Sequence, residues 1–365
     1  MLKIKDIINE LEKFAPLCIQ ENYDNAGLIV GNKEAVCNAA LLTVDTTEDV
    51  VDEAINKGLN LIISHHPIVF SGLKSITGKN YIERTVIKAI KNDIAIYAAH
   101  TNFDSVISGV NAKISEKLNL TSCKVLHPEK NILKKLVTFI PNSNLEKVRQ
   151  AIFDAGAGHI GNYDSCSYNI EGKGTFRALD KANPYVGEIG KIHFEEETRF
   201  ETIFPKYLQS SVIKALIQTH PYEEVAYDIY SLDNEYNQIG MGMIGELITE
   251  TDEIEFLNRI KEIFQVPVIR HTSFLNKKIK KVALCGGSGS TLLKDAIHSG
   301  ADIFITGDFK YHQFFDAESK ILIADIGHFE SEQYTKELFY DILTKKFPNF
   351  AFHFSEVNTN PISYL

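Results

Sequence analysis

Short apolar strands alternate with helices at both ends of this 365-residue chain, and this alternation constrains the fold most. Near the N-terminus, strands are predicted at 39–44, 61–64 and 94–99, with helices between them near 47–57 and 82–91. Strands that alternate with helices generally pair in parallel, because each helix carries the chain back to the same end of the sheet. The sequence therefore predicts a mostly parallel, layered α/β sheet.

The C-terminal part repeats this order. Its predicted strands are 281–285, 303–306 and 321–324. The local match is close, since Ala54-Ile-Asn-Lys-Gly58 precedes LNLIIS and Ala296-Ile-His-Ser-Gly300 precedes ADIFIT. A repeat of this kind governs the choice of fold. We predict two related α/β halves that form one pseudo-symmetric core; the alternative is the general likeness of any two α/β segments.

The middle of the chain has a different pattern. Strands are predicted at 136–140, 165–170, 192–203 and 225–230, and helices at 144–155 and 208–219. The order β-α-β-β-α-β is that of a ferredoxin-like α+β module. A module is tolerated within a surface loop of another domain when its ends lie close together. We predict a discontinuous core, residues 1–125 and 245–365, with an inserted domain at 131–242.

Metal-ligating side chains follow the predicted strands of both halves. They are the pair His65-His66, then His100-x-x-x-Asp104, and His328-x-x-x-Glu332 in the second half. Open α/β sheets bind ligands at the carboxyl ends of their strands, and a four-residue spacing puts two side chains on one face of a helix. Each of these motifs, taken alone, has a simpler explanation. The histidine pair could lie in a loop exposed to solvent, and a His-x-x-x-Glu or His-x-x-x-Asp motif could lie on the surface of a helix.

These side chains match the chemistry of a divalent metal site. Imidazole and carboxylate ligands suit zinc, iron, manganese or nickel better than a metal that prefers thiolates. Two carboxylates with three or four histidines are enough for two ions, which lie about 3.5–4 Å apart in two-metal sites and activate water for attack. The sequence thus predicts a metal centre at the strand ends, with His100 among the candidate ligands.

Other motifs give weaker indications. The glycine-rich stretch 286–290 lacks the lysine of a P-loop, and we interpret it as a tight strand-to-helix turn near the site. Neither Cys285 nor the serines of this stretch has an identifiable base. Asp308 and His312 occupy the position in the second half that corresponds to His65 and His66. They are candidates for residues that hold the metal ligands in place without binding the metal themselves. The segment 220–224 is interpreted as a helix-to-strand connection, with a ligand-binding patch as the alternative.

Composition excludes several classes of protein. The net charge of −10 argues against general nucleic-acid binding, which relies on Lys and Arg against phosphates. The five cysteines contain no C-x-x-C pair, so neither a disulfide framework nor a thiolate zinc site is indicated. No apolar run approaches the ~20 residues of a membrane span, and the amphipathic start is unlike a signal peptide. We expect a cytoplasmic protein that does not associate with membranes.

The ordered motifs ENYDNAGLIVG, IISHHPIVF, HTNFDS, CGGSGS, TGDFKYH and GHFESE resemble the GTP cyclohydrolase type-two-like family. This family is also called Nif-three-like or NGG-interacting-factor-like. The resemblance covers about 1–125 and 245–365, while GAGHIGNYDSCSY, GTFRA and HPYEEVAYDIY of the middle segment are similar to the PII/CutA-like insert of longer bacterial members. One departure is Tyr23, where the family commonly has tryptophan.

The resemblance implies a specific set of metal ligands and an assembly. Its dinuclear ligands correspond to His65, His66, Asp104, His328 and Glu332. His100 is outside that set and is a candidate for a supporting role beside it. The resemblance also implies a ring-shaped hexamer with the metal sites facing its interior.

Two functions from different classes remain open at this stage. One is a metal-dependent hydrolase of a nucleotide or a similar small anion, with cyclohydrolase chemistry implied by the family name. The other is a non-enzymatic, metal-dependent regulator or ligand-sensing assembly, which the inserted domain favours because it has no metal-ligand cluster of its own.

Overall fold

The computed structural model describes residues 1–365 and contains three sheets. The strands are, in chain order, β1 (Gly27–Val30), β2 (Ala40–Thr43), β3 (Leu61–Ser64), β4 (Ala95–Ala98), β5 (Leu120–Glu129), β6 (Leu133–Pro141), β7 (Tyr168–Arg177), β8 (Ile192–Pro205), β9 (Tyr227–Ser231), β10 (Tyr236–Asp252), β11 (Arg270–His271), β12 (Lys278–Ser288), β13 (Ile303–Gly307), β14 (Leu322–Asp325) and β15 (Phe352–Phe354). The chain is therefore a mixed α/β protein.

Helices connect most of these strands. They are α1 (Ile4–Phe14), α2 (Glu48–Asn56), α3 (Tyr81–Lys91), α4 (Thr101–Ser105), α5 (Val110–Lys117), α6 (Leu145–Asp154), α7 (Gln209–Thr219), α8 (Glu253–Phe264), α9 (Leu293–His298), α10 (His328–Glu332) and α11 (Thr335–Lys346). Short 3-10 helices add the segments Leu17–Ile19, Asn142–Asn144, Lys206–Leu208, Ser290–Leu292 and Tyr311–Ala317. None of the α-helices has the length and apolar character needed to cross a lipid bilayer.

The chain divides into two compact units, residues 1–128 with 237–365, and residues 129–236. The first unit holds two of the sheets. One has the strand order β1-β4-β3-β2-β15, in which β4, β3, β2 and β15 run parallel and β1 is antiparallel. Every residue of β2, β3 and β4 is buried, which explains why these strands are continuous apolar runs rather than alternating ones.

The second sheet of this unit has the order β11-β14-β13-β12-β10-β5. Its strands β14, β13 and β12 are parallel, like β4, β3 and β2 in the first sheet, and the two sets of three follow the chain in the same order. The antiparallel partners of the second sheet are β11, beside β14, and β10, beside β12.

Three features of this unit differ from the sequence-based expectation. Segments expected to be connections form the long strands β5 and β10, whose mixed polar and apolar residues disguise their pairing. The C-terminal strand β15 was not expected, because its three residues are too few to show a period; it joins the first sheet beside β2. Strand β12 continues through Gly286 and Gly287 to Ser288, so the expected tight strand-to-helix turn is limited to Gly289, just before the 3-10 helix Ser290–Leu292.

The second unit contains the four-stranded sheet β7-β8-β6-β9, in which all neighbours are antiparallel. Helices α6 and α7 lie in the order β6-α6-β7-β8-α7-β9 along the chain. The unit has its own apolar core, in which Val148 and Ile152 of α6 and Val212 and Leu216 of α7 are fully buried.

Candidate metal centre

Three histidines of the first unit converge at the carboxyl ends of strands from both sheets. His65 and His66 follow β3 directly, and His328 is the first residue of α10, just after β14. The two nearest imidazole nitrogens, Nε2 of His66 and Nε2 of His328, lie 3.2 Å apart. The fold therefore brings together side chains that lie more than 250 residues apart in sequence.

Each histidine is oriented through its Nδ1 atom. Nδ1 of His65 lies 2.7 Å from the carbonyl oxygen of Ala99, and Nδ1 of His66 lies 2.7 Å from Oδ1 of Asp45. In the same way, Nδ1 of His328 lies 2.7 Å from Oδ2 of Asp308. Because a carbonyl or carboxylate accepts the Nδ1 proton, these contacts leave Nε2 of each ring directed at the common centre, as in metal-binding histidines held by outer hydrogen bonds.

Two buried carboxylates complete the centre. Asp104 in α4 is 7% exposed and Glu332 at the end of α10 is 3% exposed. Nε2 of His65 lies 3.6 Å from Oδ1 of Asp104 and 3.5 Å from Oε1 of Glu332. Oε2 of Glu332 lies 3.0 Å from Nε2 of His66 and 3.2 Å from Nε2 of His328.

Three buried polar atoms at this point form no hydrogen bond: Nε2 of His65, Oδ1 of Asp104 and Oε2 of Glu332. Burial of an unpartnered polar atom is costly, and all three atoms belong to residues of the two ligand groups that share Glu332. Cations held by these groups would supply the missing partners, so the donor set fits a divalent metal.

The spacing of the ligand atoms also fits a metal site. In the sets His65–Asp104–Glu332 and His66–His328–Glu332, the ligand atoms all lie within 4.8 Å of one another. Ligands bound to one ion at about 2.0–2.2 Å lie at most about 4.4 Å apart, so only small adjustments separate each set from coordination geometry. Glu332 belongs to both sets.

The charges of the centre also fit a cation. Burial opposes the protonation of His66, but the carboxylates of Asp45 and Glu332 outweigh it and raise its pKa to about 10. Burial opposes the protonation of His328 as well, and Glu332 and Asp308 raise its pKa to about 11. Burial and the charge of Glu332 raise the pKa of Asp104. Without a metal, protons bound to the histidines and to Asp104 compensate the negative charge of the carboxylates. A metal ion would displace these protons when it binds.

The glycine-rich end of β12 makes room for Glu332. A Cβ atom on Gly287 would lie 2.3 Å from Oε1 of Glu332 and 3.2 Å from Nε2 of His328, and Gly287 has a φ of +61°. Its amide donates to Oγ of Ser331 at 2.9 Å, and that hydroxyl donates to the carbonyl of His328. The stretch 286–290 therefore lies against the site, as expected from the sequence.

His100 lies beside the centre, and its ligand nitrogen lies within 4.8 Å of those of His65 and His66. Its ring centroid is 5.3 Å from those of both His65 and His66, and its Nδ1 lies 2.6 Å from Oδ1 of Asp24. The other oxygen of Asp24 accepts from the amide and the hydroxyl of Thr101, and although burial opposes it, these hydrogen bonds and the one from His100 lower the pKa of Asp24 to about 2. Asp24 thus holds His100 in a fixed orientation at the edge of the site.

The remaining candidates separate into those at the site and those away from it. Asp308 supports His328, as its repeat position suggested, whereas His312 is exposed among Tyr311 and Phe315. Cys285 is buried in β12, and burial raises the pKa of its thiol, which disfavours a role as a nucleophile. Sequence reasoning missed Asp45, which follows β2; the shared position of Asp45 and His66 after neighbouring parallel strands was the available signal.

Comparison with known proteins agrees with the motifs. The family model described as Duf34/NIF3 (NGG1p interacting factor 3) matches residues 2–361. The chain belongs to the DUF34/NIF3 family. The family resemblance stated from the sequence motifs is therefore confirmed, and it extends through the middle of the chain.

Relatives of this DUF34/NIF3 chain match over nearly its whole length. A protein of Bacillus subtilis (strain 168) named GTP cyclohydrolase 1 type 2 homolog is 40% identical, over 99% of this chain and 98% of its own. A protein of the same name from Halalkalibacterium halodurans is 39% identical, over 98% of each chain. The crystal structure of a Bacillus cereus protein related to NIF3 superimposes with a TM-score of 0.86 at 39% identity, covering 100% of this chain and 99% of that one.

Proposed function

We propose that this protein holds a dinuclear divalent-metal centre and is a metal-dependent hydrolase of a nucleotide or a similar small anion. The observation that carries the proposal is the convergence of three unpartnered buried atoms, from His65, Asp104 and Glu332. Two overlapping ligand sets share Glu332, so this carboxylate would help to hold both ions. The printed names of the relatives support a cyclohydrolase-like reaction as the first to test.

Some residues of the centre would bind the ions, and others orient the residues that do. A pair of ions at such a site polarises a substrate oxygen and lowers the pKa of a bound water. Asp45, Asp308 and the Ala99 carbonyl hold the three imidazoles so that each Nε2 faces the centre. No serine or cysteine beside the centre is paired with a base, which favours hydrolysis without a side-chain nucleophile.

Aromatic side chains lie next to the centre and suit a planar substrate. The Phe70 ring lies 6.0 Å from the His100 ring and 6.1 Å from that of Tyr23, and both Phe70 and Tyr23 are exposed. An exposed aromatic face stacks favourably on a nucleobase. This arrangement supports a nucleotide over a small inorganic anion.

A metal-dependent regulator is the second candidate. It is favoured by the second unit, residues 129–236, which has a cavity of its own and none of the metal-ligand sets. We also propose that this unit is an inserted ferredoxin-like domain, supported by its element order, and that the two halves of the first unit are related by pseudo-symmetry, supported by the matching order of their parallel strands. The ring hexamer implied by the family resemblance remains part of the proposal.

Turnover with and without metal tests the hydrolase proposal. Protein reconstituted separately with zinc, manganese, iron or nickel is incubated with a panel of nucleotides that includes GTP, and products are separated chromatographically. We expect turnover that chelation abolishes and that Glu332→Gln and His66→Ala remove. The matched control His312→Ala changes an exposed histidine away from the centre and should keep activity. Equal turnover after complete removal of metal would exclude the proposed mechanism.

A further inference from the structure

The second unit contains a cavity of about 810 Å³, within the usual size range of small-molecule sites. It lies against the strands β6, β7 and β8 and the segment that follows α7. Its lining includes the aromatic rings of Phe139, Phe176, Tyr185 and Tyr222. The Phe176 and Tyr185 rings lie 6.1 and 6.2 Å from that of Tyr222, so these three form one aromatic cluster at the cavity wall.

A buried carboxylate lies within this aromatic surface. Glu197 of β8 is only 8% exposed. Its Oε1 accepts a hydrogen bond of 2.7 Å from the hydroxyl of Tyr222, and this is the only hydrogen bond that the carboxylate makes. A carboxylate has about four acceptor positions, so most of its capacity is left for a ligand.

The neighbouring strand makes room for this carboxylate at the cavity wall. Gly172 and Gly174 lie two residues apart on β7, on the same face, and both line the cavity. A Cβ atom on Gly174 would lie 2.1 Å from Oε2 of Glu197. The missing side chain at Gly174 therefore lets the Glu197 carboxylate lie against β7 and line the cavity.

The charges around the cavity select the kind of ligand. Its lining includes four carboxylates, Glu171, Glu197, Glu223 and Glu224, and three basic side chains, Lys173, Arg177 and Arg199. Two of the bases already pair with carboxylates outside the lining: Lys173 with Glu196 at 2.7 Å and Arg199 with Glu201 at 2.8 Å. The cavity therefore has an excess of negative charge, which disfavours phosphate-bearing ligands.

We propose that this cavity binds an organic cation, an amine or guanidine attached to an apolar or aromatic body. The N–H groups would donate to the free positions of Glu197, and the aromatic cluster would contact both the body and the positive charge, as aromatic rings do with cations. A charge-assisted hydrogen bond to a buried carboxylate is stronger than a neutral one. The site is independent of the metal centre, so its failure would leave the hydrolase proposal standing.

Calorimetric titration of the full chain tests this proposal. The probes are 2-phenylethylamine and agmatine, and the matched uncharged probe is 2-phenylethanol. We expect at least one of the two cations to bind and the alcohol to bind at least about tenfold more weakly, since a hydrogen bond between charged groups is stronger than one to a neutral hydroxyl. The same affinity for 2-phenylethanol as for the amine, or no binding of either cation at millimolar concentration, would overturn the proposal.

Substitutions in the cavity test whether the cation binds at Glu197 and the aromatic cluster. Glu197→Gln keeps the shape of the side chain and should weaken binding of the cation about ten- to hundredfold. The control Glu146→Gln makes the same change in α6, where Glu146 pairs with Arg149 and neither residue lines the cavity, and it should not weaken binding. If Glu197→Gln does not fold, Phe176→Leu should still weaken binding severalfold by removing an aromatic face. Unchanged affinity in the folded variant, or analytical ultracentrifugation and cross-linking that show this face covered by a second copy of the chain, would contradict the assignment.

Discussion

At the scale of single residues, the metal centre depends on how the imidazoles are oriented. His66 and His328 are each held by an aspartate, Asp45 and Asp308, and His65 by a backbone carbonyl. The candidate ligands were recognisable in the sequence because histidines and carboxylates follow the strands of both halves. Asp45 was not recognisable in the sequence, because an isolated aspartate after a strand has many structural roles. Only the pairing of β2 with β3 brings it to His66.

Gly287 provides a residue-scale test of the centre. Gly287→Ala should cost about 1–2 kcal/mol of folding free energy through its left-handed backbone, and it should also reduce metal content because the new Cβ would lie 2.3 Å from Oε1 of Glu332. Urea unfolding and elemental analysis measure the two effects.

Gly58 is the matched control for Gly287. It has a similar φ of +67°, and a Cβ there would meet nothing within 4 Å. Gly58→Ala should therefore show a comparable loss of stability with full metal content. Full metal content in Gly287→Ala would mean that the contact with Glu332 does not matter to the centre.

At the scale of elements, most helices and the central parallel strands followed from the sequence because their apolar periods are long enough to recognise, whereas helix α8 and strand β1 were not predicted. Ile4, Ile7, Ile8 and Leu11 form the buried face of α1, as their spacing predicts, and Thr47 caps α2 by accepting from the amide of Val50. Strand β15 was missed because its pairing partner β2 lies more than 300 residues earlier in the chain, and no local pattern reports such a contact.

Glu83 in the first turn of α3 connects the start of this helix to the segment that precedes it. Its Oε2 accepts from the amide and hydroxyl of Thr77 and from the amide of Lys79. The backbone hydrogen bond from Thr77 is the main cause that lowers the pKa of Glu83 from 4.5 to about 2. Since the folded state has the lower pKa, the ionised carboxylate stabilises the protein above about pH 4.5, and this contribution disappears as the pH falls towards 2.

Thermal unfolding of wild type and Glu83→Gln checks this expectation. The variant should have the lower Tm at neutral pH, and the difference should shrink as the pH is lowered from about 4.5 towards 2. Measuring a difference removes the contribution of the metal centre, which both proteins share. A difference that stays constant across this range would show that the charge of Glu83 does not stabilise the α3 start.

At the scale of the whole molecule, all of the candidate metal ligands lie in the first unit. Residues 129–236 should therefore be removable. Their flanking strands β5 and β10 are neighbours in one sheet, and a Cβ on Gly240 would lie 2.1 Å from the carbonyl oxygen of His127, so the ends to be joined are close.

We expect that replacing residues 130–235 by a hairpin loop of about two to five residues leaves a folded core that binds metal. Circular dichroism, gel filtration and elemental analysis measure this outcome. The control is a deletion of 131–242 with the same loop, which also removes Gly240 and Gly242 of β10 and should be less stable. Aggregated or metal-free protein from the first deletion at every loop length would argue against an independent second unit.

The metal content of the purified protein tests the central claim most directly. Elemental analysis of the wild-type chain should find about two divalent ions, and Asp104→Ala and Glu332→Ala should each lower this content more than His100→Ala does. The reason is that both carboxylates contribute unpartnered buried oxygens to the centre, whereas His100 lies at its edge, paired with Asp24. Full metal content in both carboxylate variants would contradict the assignment of the centre.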